Sequence, residues 1–364
     1  MEVYILVLRM KQFFGILVLC LGSQVGFAQS APKYSNEFMS IGVGARAISM
    51  GQAYSAIAND VDASYYNPAG MLQFDSGFQI AAMHAEYFAG IANYDYAAFI
   101  LRVDSVSAIG ASFIRFAIDD IPDTRFLYDA NGALNYDNIQ FFSSADYGVL
   151  LSYSRVLSKL GQIQLGANAK IIHRSVGDFA NAWGFGIDIG ASRKFGPWMV
   201  ALVVKDVTTT FNAWNHNSEE LLESFSLTGN VIPGNTLELT LPSARLGAAR
   251  KFTIGKMFGL LASTDFKLNF DGKRNVLLGS KWVSMDPSLG IEFDYNELGF
   301  LRFGLGDFQR IEEFDASTTL LFQPNFGIGF KYKQIAVDYA LTDLGNVSET
   351  IYSNIFSIKI SFEK

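Results

Sequence analysis

The sequence predicts an all-β fold, a transmembrane antiparallel β-barrel of about 14 strands. Three observations carry this: persistent period-2 alternation, connections that alternate between short and long, and a leader-like N-terminus. In residues 183–192, Trp183, Phe185, Ile187, Ile189 and Ala191 face one way. Gly184, Gly186, Asp188, Gly190 and Ser192 face the other, as on a strand with one apolar face. Fourteen such stretches are counted, at 78–88, 94–103, 106–118, 144–155, 162–174, 182–195, 198–207, 242–252, 258–270, 288–295, 298–307, 325–333, 335–341 and 352–362. Most are near the roughly 9 to 11 residues that a tilted spanning strand requires.

The connections support the count. Residues 104–105, 157–161, 196–197, 253–257, 296–297 and 334 are short, whereas most of those on the other side, 119–143 and 208–241 among them, are long. Short periplasmic turns and long outer loops are the expected asymmetry of such a barrel. A fifteenth apolar stretch, 276–283, would break the even strand number, so it is assigned to a loop. A soluble sandwich also buries one face of each strand, but has no reason to sort its loops by length.

Ahead of the strands, Met10-Lys11-Gln12, the apolar run 13–21 and Gly26-Phe27-Ala28 read as a signal peptide, 1–28, exported and cleaved. Cys20 lies within it, so the remaining chain has no thiol for a disulfide or a thiolate metal site. Removal of Glu2, Arg9 and Lys11 takes the net charge from -7 to -8, and an acidic chain without basic clusters does not suit nucleic acid.

Between leader and strands, 35–70 has no clean period. Its density of Gly and Ala suits backbone packed closely on backbone, with short helical turns. Asn67-Pro68-Ala69-Gly70 is turn chemistry. Ala45-Arg46-Ala47, Met50-Gly51, Ala56, Asp60, Tyr66 and 67–70 resemble the N-terminal signature of the PorV/PorQ family, relatives of FadL-like outer-membrane barrels. The stretch 337–345, VDYALTDLG, resembles that family's last hairpin.

The resemblance implies a plug inside the lumen, so the domains are 1–28 signal peptide, 29–76 plug and 77–364 barrel. Gly42, Gly44, Arg46, Met50, Gly51, Asp60, Asn67, Pro68 and Gly70 are its structural residues. Arg46, Asp60 and Asp62 are the plug charges expected to meet inward wall charges such as Lys170, Arg174, Asp188, Asp265 and Lys267, or water.

No catalytic set is legible. His84, His173 and His216 lie far apart without metal-ligand spacing, and His84 and His173 read as strand residues near a membrane interface. The acidic stretch 119–143 matches no calcium loop. No cofactor, metal or enzyme activity is expected.

The resemblance implies a non-enzymatic outer-membrane component of type IX secretion, or of another assembly, whose partners are outer-membrane or secreted proteins. Phe211, Trp214, Leu221, Leu222 and Phe225 in the long stretch 208–241 are the candidate docking residues, unless that stretch folds over the barrel mouth and buries them. The FadL side of the resemblance implies the alternative, a transporter of hydrophobic small molecules with a lateral opening at a kinked strand. Gly184, Gly186 and Gly190 mark such a kink or make room for the plug.

Overall fold

A computed structural model describes residues 35–74, 77–129, 131–229, 231, 234–312, 317–342 and 353–362. The expected leader and the first residues of the expected plug lie outside them, as do Asp343, Leu344 and Gly345 of the closing stretch. Among the described residues no helix is long and apolar enough to cross a membrane.

The strands are β1 (Phe78–Tyr87), β2 (Ala92–Arg102), β3 (Ser107–Asp123), β4 (Gln140–Leu157), β5 (Ile163–Val176), β6 (Ala180–Phe195), β7 (Trp198–Lys205), β8 (Thr210–His216), β9 (Thr236–Thr240), β10 (Ser243–Ile254), β11 (Phe258–Asn269), β12 (Leu278–Gly279), β13 (Ser284–Tyr295), β14 (Gly299–Glu312), β15 (Thr318–Tyr332), β16 (Ile335–Thr342) and β17 (Ser353–Phe362). Antiparallel pairing runs from β1 through β7, then through β10, β11 and β13 to β17. β17 returns to β1 from Phe78↔Phe362 to Glu86↔Asn354, so the circuit of 14 strands is closed. Closure leaves no strand of the circuit at an edge, the condition for β-structure in lipid.

All fourteen expected stretches fall on this circuit. The stretch 276–283 contributes only the two-residue β12, which adds to the rim of β13 outside the circuit. Several strands run further on the long-loop side than alternation indicated: β3 reaches Asp123 and β15 begins at Thr318. Beyond the bilayer both faces of a strand are wet, so pairing continues where the apolar period has stopped.

The stretch 208–241 is the main departure from the sequence reading. It is a hairpin extension of the wall, β8 and β9, carrying the helix α3 (Ser218–Thr228), rather than an open loop. Phe211 and Trp214 are strand residues of β8, whereas Leu221, Leu222 and Phe225 lie on α3. The period was lost because Asp206 to Thr209 bulge out of register. Pro242 adds to the break, having no N–H for the ladder.

Burial follows parity. Trp183, Phe185, Ile187 and Ile189 are 42–51% exposed, while Gly184, Gly186, Asp188 and Gly190 between them are buried. The large apolar side chains therefore point outward, as they must if the solvent is lipid. Phe78, Phe195, Trp198, Phe258, Tyr295 and Phe362 mark the rim beside the short turns, the level at which aromatic girdles sit.

Inside, 35–74 folds into α1 (Ala45–Ser49), α2 (Ala63–Tyr66) and two 3₁₀ turns, at Glu37–Ser40 and Pro68–Gln73. Met50, Tyr54 and Tyr66 are completely or almost completely buried. Tyr66 packs edge-on against Tyr54 (5.1 Å) and Tyr65 (4.8 Å). Each such ring pair contributes about 0.5–1.5 kcal/mol beyond its buried area.

Inward glycines make this close packing possible. A β-carbon at Gly166 would strike the backbone of Pro68 and Ala69, and one at Gly190 would strike the Asn67 side chain. At Gly304 it would strike the backbone of Met50 and Gly51.

Candidate functional site

Two polar clusters join the inner segment to the wall. The first lies toward the short turns. Arg46 on α1 donates through Nε and Nη2 to the two oxygens of Glu292 on β13, at 2.8 and 2.9 Å. Arg302 on β14 donates to the same carboxylate at 2.5 Å and to Asp338 on β16 at 2.7 Å. Lys359 on β17 donates to Asp60 (2.6 Å) and is ion-paired with Asp62 (2.5 Å). Tyr54 donates to Asp60 at 2.7 Å, and Arg46 lies 3.7 Å from it.

The cations thus alternate with carboxylates along one buried line from Asp62 to Asp338. It borders a vestibule of about 790 Å³ among the short turns.

The partners differ from those the sequence suggested. Asp60 and Asp62 meet Lys359, and Arg46 meets Glu292. Asp265 accepts from the Ser55 N–H and hydroxyl, while Lys170 is paired with wall carboxylates.

The remaining residues expected to hold the segment lie within it. Gly42 and Gly44 take positive φ (101° and 76°), with their N–H groups directed to Tyr65 Oη and Met83 Sδ. Gly51 (φ 61°) lies against the β14 backbone at Leu305. Asn67 accepts from Ala69 N (3.1 Å) and donates to Ser55 O (2.9 Å), Pro68 opens the second 3₁₀ turn, and Gly70 abuts Ala58 O.

Burial pushes the Asp62 carboxyl up to about 6, outweighing the attraction of Lys359, and the Asp60 charge adds to the rise. Burial also acts to raise Asp60, but Lys359 and Arg46 outweigh it and hold that group below its usual value. A carboxyl raised above its unfolded value of about 3.9 stabilises the fold when protonated. That contribution is complete below about pH 4 and lost as pH rises through about 6. Asp62→Asn, neutral throughout, is therefore expected to be more stable than the parent at pH 7.5 and equal to it near pH 4. Urea midpoints at the two pH values check this; a difference independent of pH contradicts it.

The second cluster lies at the wall bulge. β6 pairs with β7 up to Ile189↔Val204 and resumes with β8 at Phe185↔Phe211. The β6 side advances four residues while the other side advances seven, so three residues are extra. Asp206 (φ 58°) and Thr209 (φ 59°) are both left-handed, a costly conformation for a β-branched residue.

The bulge turns Asp206 inward. It accepts from Thr210 Oγ1 (2.5 Å) and pairs with Lys170, which also reaches Asp188 at 2.9 Å. Gly184 and Gly186 make room for the bulged wall, since β-carbons there would strike Asn212 and Thr210. Gly190 makes room for the inner segment, so the three glycines divide between the two roles the sequence left open.

Thr209→Gly is expected to raise stability by about 1 kcal/mol by removing the left-handed penalty. An unchanged or lowered urea midpoint counts against strain at this residue.

Asn36, at the start of the inner segment, bonds both strands of the β8–β9 hairpin beside the break. It donates to Thr240 Oγ1 on β9 (2.7 Å) and accepts from Asn212 Nδ2 on β8 (2.9 Å). Behind it lies a cavity of about 50 Å³ whose lining includes Lys170, Lys205, Arg245, Lys267, Asp188 and Asp206. Arg245 lies 3.7 Å from Asp265, and Lys205 sits over the Tyr65 ring at 4.3 Å. Among the described residues, neither Lys205 nor Lys267 has a carboxylate oxygen within 4 Å.

Sequence reasoning missed this bulge and its cavity. The only available signal was loss of alternation at Asp206-Val207-Thr208-Thr209, which reads equally as the start of a loop.

No protein-family profile matches the chain, and no curated protein matches it. Solved structures do. The Pseudomonas putida toluene transporter TodX superposes with a TM-score of 0.54 at 11% identity, covering 88% of this chain and 98% of its own. The CymD monoaromatic hydrocarbon channel gives 0.52 at 12% identity, covering 89% and 98%. The expected barrel architecture is thus the one these channels share.

Proposed function

We propose that this chain is a non-enzymatic barrel of the outer membrane that passes small hydrophobic molecules, with 29–76 as a plug that gates the route. The observation that carries this reading is the wall break at β7/β8 and β9/β10. There the wall's register is interrupted, and Asn36 holds the plug to both strands of the β8–β9 hairpin beside it, with a cavity behind. Release of Asn36 joins that cavity to the break. Lys205 and Lys267 favour a cargo with an anionic head on an apolar body, because neither has a carboxylate oxygen within 4 Å among the described residues and an anion there favours their charged form. TodX, a toluene transporter, and CymD, a monoaromatic hydrocarbon channel, are of the same general kind.

The test is purification from native outer membranes in mild detergent, with mass spectrometry of extracted small molecules. An amphiphile near one per barrel, lost in Lys205→Met/Lys267→Met, is expected. Finding none, or one indifferent to the double substitution, overturns the reading.

A second reading, a protein-handling subunit related to type IX secretion, is favoured by apolar side chains on the long-loop side. Tyr128 (64%), Tyr136 (70%) and Leu222 on α3 (57%) are exposed there. It predicts that polar substitution of these three abolishes co-purification with outer-membrane or secreted proteins and leaves small-molecule binding intact.

A further inference from the structure

The outward apolar belt does not have one height around the barrel. A strand tilted by about 40° climbs ~2.5 Å per residue. On β6, Phe195 to Trp183 spans thirteen residues, about 32 Å of wall interrupted only by Arg193 near its lower rim. On β1 only Phe78, Ile80 and Ala82 precede His84, and on β2 only Leu101, Phe99 and Ala97 precede Asp95. On β3, Ile109, Ala111 and Phe113 precede Arg115. The apolar wall there is only about 12–17 Å high, against the roughly 25 Å an outer membrane requires.

Register shows where the charges lie. One ladder runs His84↔Asp95↔Arg115↔Tyr147↔His173↔Trp183 across six strands. At its far end His173 lies on Trp183 (4.4 Å between rings), as in an outer aromatic girdle. Trp183 is twelve residues above Phe195, whereas His84 is six above Phe78. With the aromatic rim level, the charged end sits ~15 Å deeper than the aromatic end. His84 therefore lies within the belt rather than at the interface expected for it.

The charges form one connected group. His84 Nδ1 is 2.7 Å from Asp95, Arg115 is 3.4 Å from Asp95 and 3.7 Å from Asp119, and His84 Nε2 is 3.8 Å from Glu86. Their side chains are 30–60% exposed, so the wall itself does not cover them. Below them Ala82 pairs with Ala97, a low surface that allows close approach. Above them Phe88 (52%) and Ile91 (63%) stand exposed at the hairpin tip. Lipid tails offer such charges nothing, so a protein surface bearing opposite charge is the covering they require.

We propose that the outward face of β1–β3 is a lateral docking site for a second, different membrane-embedded protein that presents basic side chains to it. The charge balance selects that partner: the three carboxylates of Glu86, Asp95 and Asp119 face one guanidinium, Arg115, and one imidazole, His84. Complementary Lys or Arg side chains offset the acidic excess inside the membrane. The inference rests on the barrel being membrane-embedded and is independent of its cargo.

The test places the photo-cross-linker p-benzoylphenylalanine at Ile91, or at Ile187 as a lipid-facing control, in native outer membranes. Membrane fractionation and heat-modifiable mobility first establish that each variant is an inserted barrel; failure at that stage refutes the membrane reading instead. The expected result is one adduct at Ile91, joined to a Lys- or Arg-bearing membrane segment of another protein, and none at Ile187. Asp95→Lys/Asp119→Lys should reduce the adduct about tenfold or more, with Asp95→Asn/Asp119→Asn as the milder variant if the first does not insert. No adduct at Ile91, an adduct to a second copy of this chain, or one unaffected by the charge changes overturns the proposal.

Discussion

Lys359→Met is expected to destabilise the folded barrel by about 3–5 kcal/mol, because it leaves a buried carboxylate pair without its cation. The side chains of Lys359, Asp60 and Asp62 are 4%, 11% and 0% exposed, so water does not replace the lost partner. Tyr54 and Arg46 still reach Asp60, but Asp62 has no other cation within 4 Å among the described residues. The loss should therefore be partly relieved in Lys359→Met/Asp62→Asn, and the coupling between these sites is read from a double-mutant cycle of urea midpoints. A midpoint unchanged by Lys359→Met contradicts a dry contact between plug and last strand. Because β17 also closes the circuit against β1, the same substitution is expected to slow barrel closure during refolding. The plug spans that seam, with Val61 N donating to Gln79 on β1 (2.7 Å) and Ala45 N to Ser357 on β17 (3.1 Å).

The second large effect is expected from Gly304→Val. Its side chain would occupy the space of the Met50 and Gly51 backbone, and backbone cannot rotate aside as a flexible side chain can. The wall strand is held by ladders to β13 and β15, so the plug yields rather than the barrel. A closed chain should become a leaky one, with single-channel conductance appearing in planar bilayers and the 45–51 turn becoming protease-sensitive. The control is Gly299→Val, where a β-carbon meets nothing within 4 Å. Equal, negligible conductance in both variants contradicts a lumen sealed by this contact.

How much of this was legible in the sequence depends on distance along the chain. Alternation such as Trp183 to Ser192 needs only neighbouring residues to be read, so strand number, facing and turn asymmetry were all available. The inner segment was legible as close-packed backbone from its glycines and alanines. Its ionic partners were not: Arg46 and Glu292 are 246 positions apart, and Asp60 and Lys359 are 299. Nothing local singles out Lys359 from Lys170, whose carboxylates turn out to be on the wall. The bulge was hidden for a different reason, since four residues without period look alike in a loop and in a kinked strand. Likewise Gly184 and Gly190 have the same spacing and facing, yet one clears space for wall and the other for plug. The polar notch on β1–β3 needed register, because His84 and Asp95 become neighbours only when the hairpin is paired.

The most direct test of the gated route is a cysteine pair, Asn36→Cys/Thr240→Cys, in a chain whose only other cysteine lies in the expected leader. These residues are joined by a 2.7 Å hydrogen bond at the break, so a disulfide there fastens the plug to the wall at its proposed release point. Uptake of a fluorescent hydrophobic acid by cells carrying the barrel is measured with the disulfide oxidised and again after reduction, with cross-linking verified by mass spectrometry. The expected result is loss of uptake in the oxidised state and recovery on reduction. Uptake that persists with the cross-link intact would contradict a route opened by release of Asn36.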